Sequence, residues 1–256
     1  MKDRVEIISP KLYENWRDDI EKIFAMVEKY FDIVDMDYGS THIHVAPKDR
    51  DWTLFEVRKL ARGIISLAEA VSVALPETRR IQQYAKMNGQ DSWFSFSGRT
   101  KALFTLESIP VQVDGSNELQ ELINFMSPTR ELAWNFQPLG DPTKGTIEFR
   151  RAPQSKSAKE ALHWISVTLA MVASCLEEDD EVFDCLGEIE GRADTKLGLP
   201  NLYAGDSLFL FRVLLSGVAE RLQLDKDLDF ESDLWNERIL QALPGEEGFE
   251  FYNDFI

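Results

Sequence analysis

Two short segments alternate polar and apolar residues with a period of two, and a chain that carries both must build a sheet with one wet and one dry face. Side chains of a β-strand point alternately to opposite sides. In Thr41-His42-Ile43-His44-Val45 this puts Thr41, Ile43 and Val45 on one face and His42 and His44 on the other. In Thr146-Ile147-Glu148-Phe149-Arg150-Arg151, Ile147 and Phe149 point one way, Glu148 and Arg150 the other. Each segment thus offers apolar residues to a core and polar residues to whatever lies opposite.

Between and around them the period changes to that of a helix. Val5 to Ile8 reads as a short strand, and Ser9-Pro10 as the N-cap and first residue of a helix, where proline's missing N–H costs nothing. Leu12, Trp16, Ile20, Ile23, Val27 and Phe31 then follow at steps of three and four, an amphipathic helix. Thr53-Leu54-Phe55-Glu56 is a capping box ahead of Val57, Leu60, Ile64, Leu67, Val71 and Leu75, a long helix that Pro76 ends. Phe94 to Leu106 reads as extended, Asn117 as the cap of a helix over 118–125, and Leu132 to Phe136 as a strand. Gly140-Asp141-Pro142 and Lys144-Gly145 are turn chemistry. Ser157-Ala158-Lys159-Glu160 is a second capping box, opening a helix through Ala161, Ile165, Leu169 and Val172. An acidic run at 177–181 ends or follows it, and one more apolar helix is expected near Ser207 to Leu222. Helices and strands do not alternate strictly, so the expected class is α+β rather than a doubly wound parallel sheet.

Composition bounds the function. Of 256 residues 44% are hydrophobic, enough for a buried core in one large domain. The net charge is −17, from 28 basic and 45 acidic residues. Nucleic-acid binders need a basic face, so no nucleic-acid partner is expected, and an acidic surface is repelled by anionic membranes. It would also repel ATP unless arginine or Mg²⁺ inverts the sign locally. Cys175 and Cys185 lack metal-type spacing and make no disulfide framework. Residues 1–6 carry no apolar leader region and no long uncharged apolar stretch exists, so a cytoplasmic protein is expected. Phosphate-loop, dinucleotide-binding and nucleophile-elbow glycine motifs are all absent.

The polar faces are where chemistry could lie. His42 and His44 on one face can reach one metal ion or one phosphate, or they are the wet side of a half-exposed strand. Glu148 and Arg150 supply a hard oxygen ligand and a phosphate-binding fork, or a surface ion pair worth ~0–1 kcal/mol. Asn135 shares the polar side of its strand, as candidate site residue or turn-proximal surface residue. Arg79 and Arg80 either favour a helix C-terminus or cradle an anion. His163, beside Trp164 in a helix, reads as a packed residue. A metal hydrolase using His42, His44 and Glu148 is a further option, with three ligands and no evident base.

These segments, in this order, resemble the amidoligase family, which belongs to the glutamine synthetase and γ-glutamylcysteine ligase-like fold. The matching pieces are Val-Glu-Ile-Ile-Ser-Pro at 5–10, His-Ile-His-Val at 42–45, Leu-Ala-Glu-Ala at 67–70 and Leu-Pro-Glu-Thr-Arg-Arg at 75–80. Ala-Trp-Asn-Phe at 133–136, Thr-Ile-Glu-Phe-Arg at 146–150 and Trp164 complete the set, and the Arg-Ala-Pro at 151–153 is nearest the fungal branch. The resemblance implies a curved antiparallel sheet packed with helices, with a core over 1–176 and a helical extension of the same domain over 177–256. It implies ATP- and Mg²⁺-dependent amide formation through an acyl phosphate, on a small-molecule or peptide carboxylate and an amine. Under it, Glu6, His44 and Glu148 would be metal ligands, Arg150 and His42 catalytic, and Arg79, Arg80 and Asn135 nucleotide contacts; a homo-oligomer is allowed. Family members usually carry a Glu-x-Glu strand upstream of the Val-Glu-Ile-Ile-Ser-Pro segment. Met1 stands four residues before Val5, so that strand and its carboxylates are expected to be missing. The alternative it raises is an amidoligase-like binding protein that has lost ligase activity or been put to another use.

Overall fold

Strand β3, Ile147–Pro153, is the centre of a three-stranded antiparallel sheet in the order β1-β3-β2, with β1 at Ser40–Val45 and β2 at Trp134–Asn135. The computed structural model describes residues 6–34, 36, 39–80, 85–88, 113–177 and 215–228. The α+β class is as expected. The alternation sorts the side chains as it should: Ile43, Trp134, Ile147, Phe149 and Ala152 are buried in the main core. Trp134 and Phe149 sit opposite each other in the register, their rings 4.9 Å apart and tilted by 43°. Burying one such ring stabilises the fold by about 2–3 kcal/mol.

Helices close the apolar side. Helix α2, Leu54–Ser66, starts at the capping box: the Thr53 hydroxyl accepts from the Glu56 N–H, and the Glu56 carboxylate accepts from the Thr53 N–H. Arg50 holds that carboxylate through both guanidinium Nη atoms at 2.6 and 2.8 Å. The inward stripe of α2 is Val57, Leu60, Ala61 and Ile64, the three-and-four spacing of a helix face. The long helix expected up to Pro76 is broken. Leu67 leaves helical geometry and its N–H is shared between the carbonyls of Gly63 and Ile65, after which α3, Ala68–Ala74, resumes. Leu75 is extended, as the residue before proline prefers, and α4, Glu77–Arg80, is a single turn.

Helix α5, Leu119–Met126, is not capped by the Asn117 side chain as expected; Glu121 instead reaches back to the Asn117 N–H at 2.9 Å. Helix α6, Ala158–Glu177, packs against α2 and carries the second cap, of which half forms. Ser157 Oγ accepts from the Glu160 N–H, but the Glu160 carboxylate accepts from the Lys156 N–H rather than from Ser157. Lys59 of α2 donates to the Leu176 carbonyl at 2.9 Å, a cation at the negative end of α6.

Helix α1, Trp16–Tyr30, lies on α6 through Ile20, Ala161 and Leu162. It begins later than Ser9-Pro10. Residues 6–12 are irregular, Ile7 and Ile8 are exposed, and the strand expected there is absent over the described residues 6–8; Val5 lies outside them. With no described partner strand and no core beneath them, these apolar residues have nothing to alternate against. Residues 215–221 are helical, and Leu215, Ala219, Leu224 and Leu228 join the main core. Arg17 ties this segment to α1, donating to Asp227 Oδ2 and to the Gln223 carbonyl, both at 2.6 Å. The extended run 94–106, the acidic residues 178–181 and Cys185 lie outside the described residues.

Candidate functional site

The polar face of the sheet is organised by register. His44 on β1 and Asn135 on β2 both stand opposite Glu148 on β3, so one row across the sheet reads histidine, glutamate, asparagine. The carboxylate is buried, at 4% exposure, and becomes the hub. Asn135 Nδ2 donates to Glu148 Oε2 at 2.8 Å. On the other oxygen, Oε1, Arg150 Nη1 lies at 2.7 Å and His42 Nδ1 at 3.1 Å. His44 Nε2 stands 3.6 Å from the same atom, too far for a hydrogen bond but close enough for attraction.

A bulge gives the two arginines different tasks. Thr41 pairs with Ala152 while Ile43 pairs with Phe149, so β3 holds one extra residue at Arg150-Arg151. Arg150 turns to Glu148; Arg151 is buried and donates to Ser72 Oγ at 3.2 Å and the Arg80 carbonyl at 3.4 Å.

Electrostatics follow from this packing. Burial pushes the Glu148 carboxyl up, but hydrogen bonds from His42 and Asn135 and the charges of Arg150 and His44 outweigh it and leave it at about 2. Glu148 is therefore a carboxylate at neutral pH. Burial pushes His44 below its ordinary value, aided by His42, Lys144 and Arg150 and opposed by Glu148. Its Nδ1 is 2.9 Å from the Thr146 hydroxyl. His42 has a partner on each side: Glu148 at Nδ1, and the Ser40 hydroxyl 3.0 Å from Nε2. A carboxylate only accepts, so in the neutral ring Nδ1 carries the proton and Nε2 accepts from Ser40.

The other expected site residues lie elsewhere. Arg79 is 4% exposed, and its guanidinium donates to the carbonyls of Arg150 at 2.9 Å, Arg151 at 3.1 Å and Gly39 at 3.5 Å. It is a brace across the bulge, not an open anion fork. Burial, with Arg150 nearby, lowers it to about 10, so it stays charged at neutral pH. Arg80 is half-buried, its Nε without a hydrogen-bond partner and its carbonyl serving Arg151. Glu6 sits in the exposed irregular segment before α1. Among the described residues no group of three or more His, Cys, Asp or Glu side chains is placed to hold a metal ion. The donor chemistry explains why. Mg²⁺ wants near-octahedral oxygen ligation, whereas the hub offers one carboxylate, both of whose oxygens already accept from protein donors. A resident Mg²⁺ pair does not fit these residues. The three-ligand hydrolase centre meets the same objection, since Arg150 occupies the shared oxygen.

Several contributors escaped the sequence reading. Ser40 and Thr146 back the two imidazoles; Ser40 lies two residues before His42 on the same strand face, and that spacing could have found it. Asn88 does for β2 what another strand would do, with Oδ1 accepting from the Trp134 N–H and Nδ2 donating to the Trp134 and Met126 carbonyls, all at 2.9 Å. His163 is packed, edge-on to Trp164 and 3.3 Å from the Asp227 carbonyl, as expected.

Among the described residues no helix is long and apolar enough to cross a membrane. No curated protein and no solved structure matches the chain. A family model does, the one described as "Putative amidoligase enzyme", over residues 2–172. That stretch is well over half of the 256 residues and contains all three strands and the whole Glu148 cluster. The chain belongs to this amidoligase family.

Proposed function

We propose that this protein is a carboxylate–amine ligase, joining a small-molecule or peptide carboxylate to an amine at the expense of ATP. The observation that carries the reading is the Glu148 cluster, in a chain that belongs to the amidoligase family. In a protein of net charge −17 it gathers Arg150 and two imidazoles around one carboxylate. Arg150 offsets the charge of Glu148 there, so an anionic substrate meets a locally neutral patch rather than a negative one.

The reaction takes the γ-phosphoryl group onto the substrate carboxylate, and the amine then displaces phosphate from the acyl phosphate. Its main physical demand is neutralising charge on the transferring phosphoryl group. Arg150 is the residue for that, and His42 is placed to exchange a proton with the amine. Mg²⁺ enters here as part of the MgATP substrate, bound chiefly by the nucleotide's own phosphates. The three described strands belong, on this reading, to a curved glutamine synthetase-like sheet, and a cytoplasmic location suits an ATP consumer.

Two observations favour a second reading, a repurposed amidoligase-like binding protein: Glu148 is saturated by its own neighbours and Glu6 stands exposed. Calorimetry with millimolar ATP and Mg²⁺, followed by mass-spectrometric detection of ADP with acid–amine pairs, separates the two. Nucleotide binding and ADP release that vanish in Arg150→Ala support the ligase. No heat of nucleotide binding to the folded wild-type chain rejects it and leaves the second reading.

A further inference from the structure

The Glu148 cluster contains a connection that amide ligation does not use. Ser40 Oγ lies 3.0 Å from His42 Nε2, and His42 Nδ1 lies 3.1 Å from Glu148 Oε1. Hydroxyl to Nε2 and Nδ1 to a buried carboxylate is the atom-for-atom connectivity of a serine–histidine–acid triad, which recurs on unrelated folds and is recognised by geometry rather than by sequence order. We propose that Ser40, His42 and Glu148 form a nucleophilic triad that hydrolyses carboxylic esters without nucleotide.

Three features set this apart from a chance surface contact. Ser40 is exposed at the start of β1, where a substrate can reach it, whereas Glu148 is buried, where a carboxylate orients an imidazole best. The polarity of the ring is the required one, because a carboxylate on Nδ1 leaves Nε2 as the base. The neighbouring pair fails the same test: His44 presents Nδ1 to Thr146, and its Nε2 is 3.6 Å from Glu148, beyond hydrogen-bonding distance. One of the two imidazoles is thus relayed from hydroxyl to carboxylate and the other is not.

The step balances as follows. Ser40 Oγ attacks the ester carbonyl carbon as its proton passes to His42 Nε2. The carbon–alkoxy bond breaks, the alkoxide takes that proton and leaves as alcohol, and the acyl group remains on Ser40. Water then attacks the acyl carbon, giving a proton to His42, and Ser40 leaves with that proton as the free acid is released. Ester and water become acid and alcohol; no oxidant, metal or nucleotide takes part.

The proposal goes beyond the ligase reading and does not depend on it. Its test is a fluorophosphonate probe applied to the full chain without ATP, with the modified peptide mapped by mass spectrometry. General-base activation of a hydroxyl is worth ~10²–10⁴-fold. Ser40 should therefore carry the label, at a rate falling at least a hundredfold in His42→Ala and to zero in Ser40→Ala. Near-ultraviolet circular dichroism shows whether each variant keeps the fold, and Ser40→Thr provides a second variant that retains a hydroxyl and should label slowly. A folded wild-type chain unlabelled at Ser40 overturns the proposal, and so does a folded His42→Ala that labels as fast as wild type. Because no nucleotide is present, failure of ATP binding in calorimetry leaves this result readable.

Discussion

Asn135 faces Glu148 directly across β2 and β3 and holds it with a 2.8 Å hydrogen bond, while its own carbonyl oxygen accepts from the Gln137 N–H at 3.1 Å. One buried amide therefore fixes the carboxylate and the turn that ends β2. Its two bonds also settle which way the amide points. Asn135→Asp keeps the shape but replaces the donor with a second acceptor beside an ionised carboxylate. Unpaired or repelling groups at a buried site cost about 2–3 kcal/mol, so urea unfolding should show a loss of that size. Asn135→Ala should cost less, about 1–2 kcal/mol, because it removes a donor without adding a charge.

Glu148 makes the fold acid-sensitive over a definite range. Its folded value of about 2 lies below the ordinary carboxyl value of 4.5. A depressed carboxyl contributes stability above its unfolded value and loses it as pH falls through the folded one. His44, also depressed, works in the same direction: protonation is harder in the folded state, so acid favours unfolding. Wild type should lose stability as pH drops from about 4.5 towards 2 through Glu148, with the His44 contribution setting in earlier, below its ordinary value of 6.5. In Glu148→Gln the lower part of that dependence should disappear. At pH 7 this variant should also lose about 3 kcal/mol, because Arg150 and His42 are left without their carboxylate. Chemical denaturation at a series of pH values reads both effects, and an unchanged acid profile in Glu148→Gln would place the acid sensitivity elsewhere.

What the sequence reveals here is what depends on nearest neighbours along the chain. Alternation at 41–45 and 147–150 gives the faces, and the Thr53 capping box gives the start of α2, because both are local. That His44, Glu148 and Asn135 form one row is a matter of register between distant segments, and the bulge at Arg150-Arg151 that sets it has no local signature. Arg79 looks like an anion fork on paper, since two adjacent arginines say nothing of which carbonyls will surround them. Asn88 substitutes for a strand through contacts 38 and 46 residues away. The apolar period also overran at both ends of its helices: it continued through Leu67, where the backbone breaks, and it extended α1 back to Leu12, where no cap forms.

Gly39 illustrates a requirement that only the folded chain reveals. A Cβ there would lie 2.2 Å from Gln154 Oε1 and 2.8 Å from Gln154 Cβ. The first contact is with a movable side-chain end, but the second is close to the backbone and cannot be relieved by rotation. Gln154 also donates to the Val34 carbonyl at 3.0 Å, so moving it releases the chain ahead of β1. Gly39→Ala should cost about 1–3 kcal/mol. Pairing it with Gln154→Gly, which removes the offending Cβ, should recover part of that loss in a double-mutant cycle. Strict additivity of the two single changes would show that the clash is not the cause.

Arg79 offers the sharpest division between frame and chemistry. Its guanidinium joins the carbonyls of Arg150 and Arg151 to that of Gly39, at the bulge and at the approach to β1. Removing it should leave buried carbonyls short of a charged donor, each missing bond costing about 1–3 kcal/mol. Arg79→Met, which keeps much of the side-chain bulk, should therefore destabilise the protein by about 3 kcal/mol in urea unfolding. Loss of the brace also frees the bulge that presents Arg150, so any turnover should fall only as the folded fraction and the placement of Arg150 fall. A residue that contacts nucleotide directly behaves otherwise: its loss weakens ATP binding at unchanged stability. Measuring the unfolding free energy and the ATP affinity of Arg79→Met together decides between them, and weakened ATP binding in a variant as stable as wild type would return Arg79 to the site.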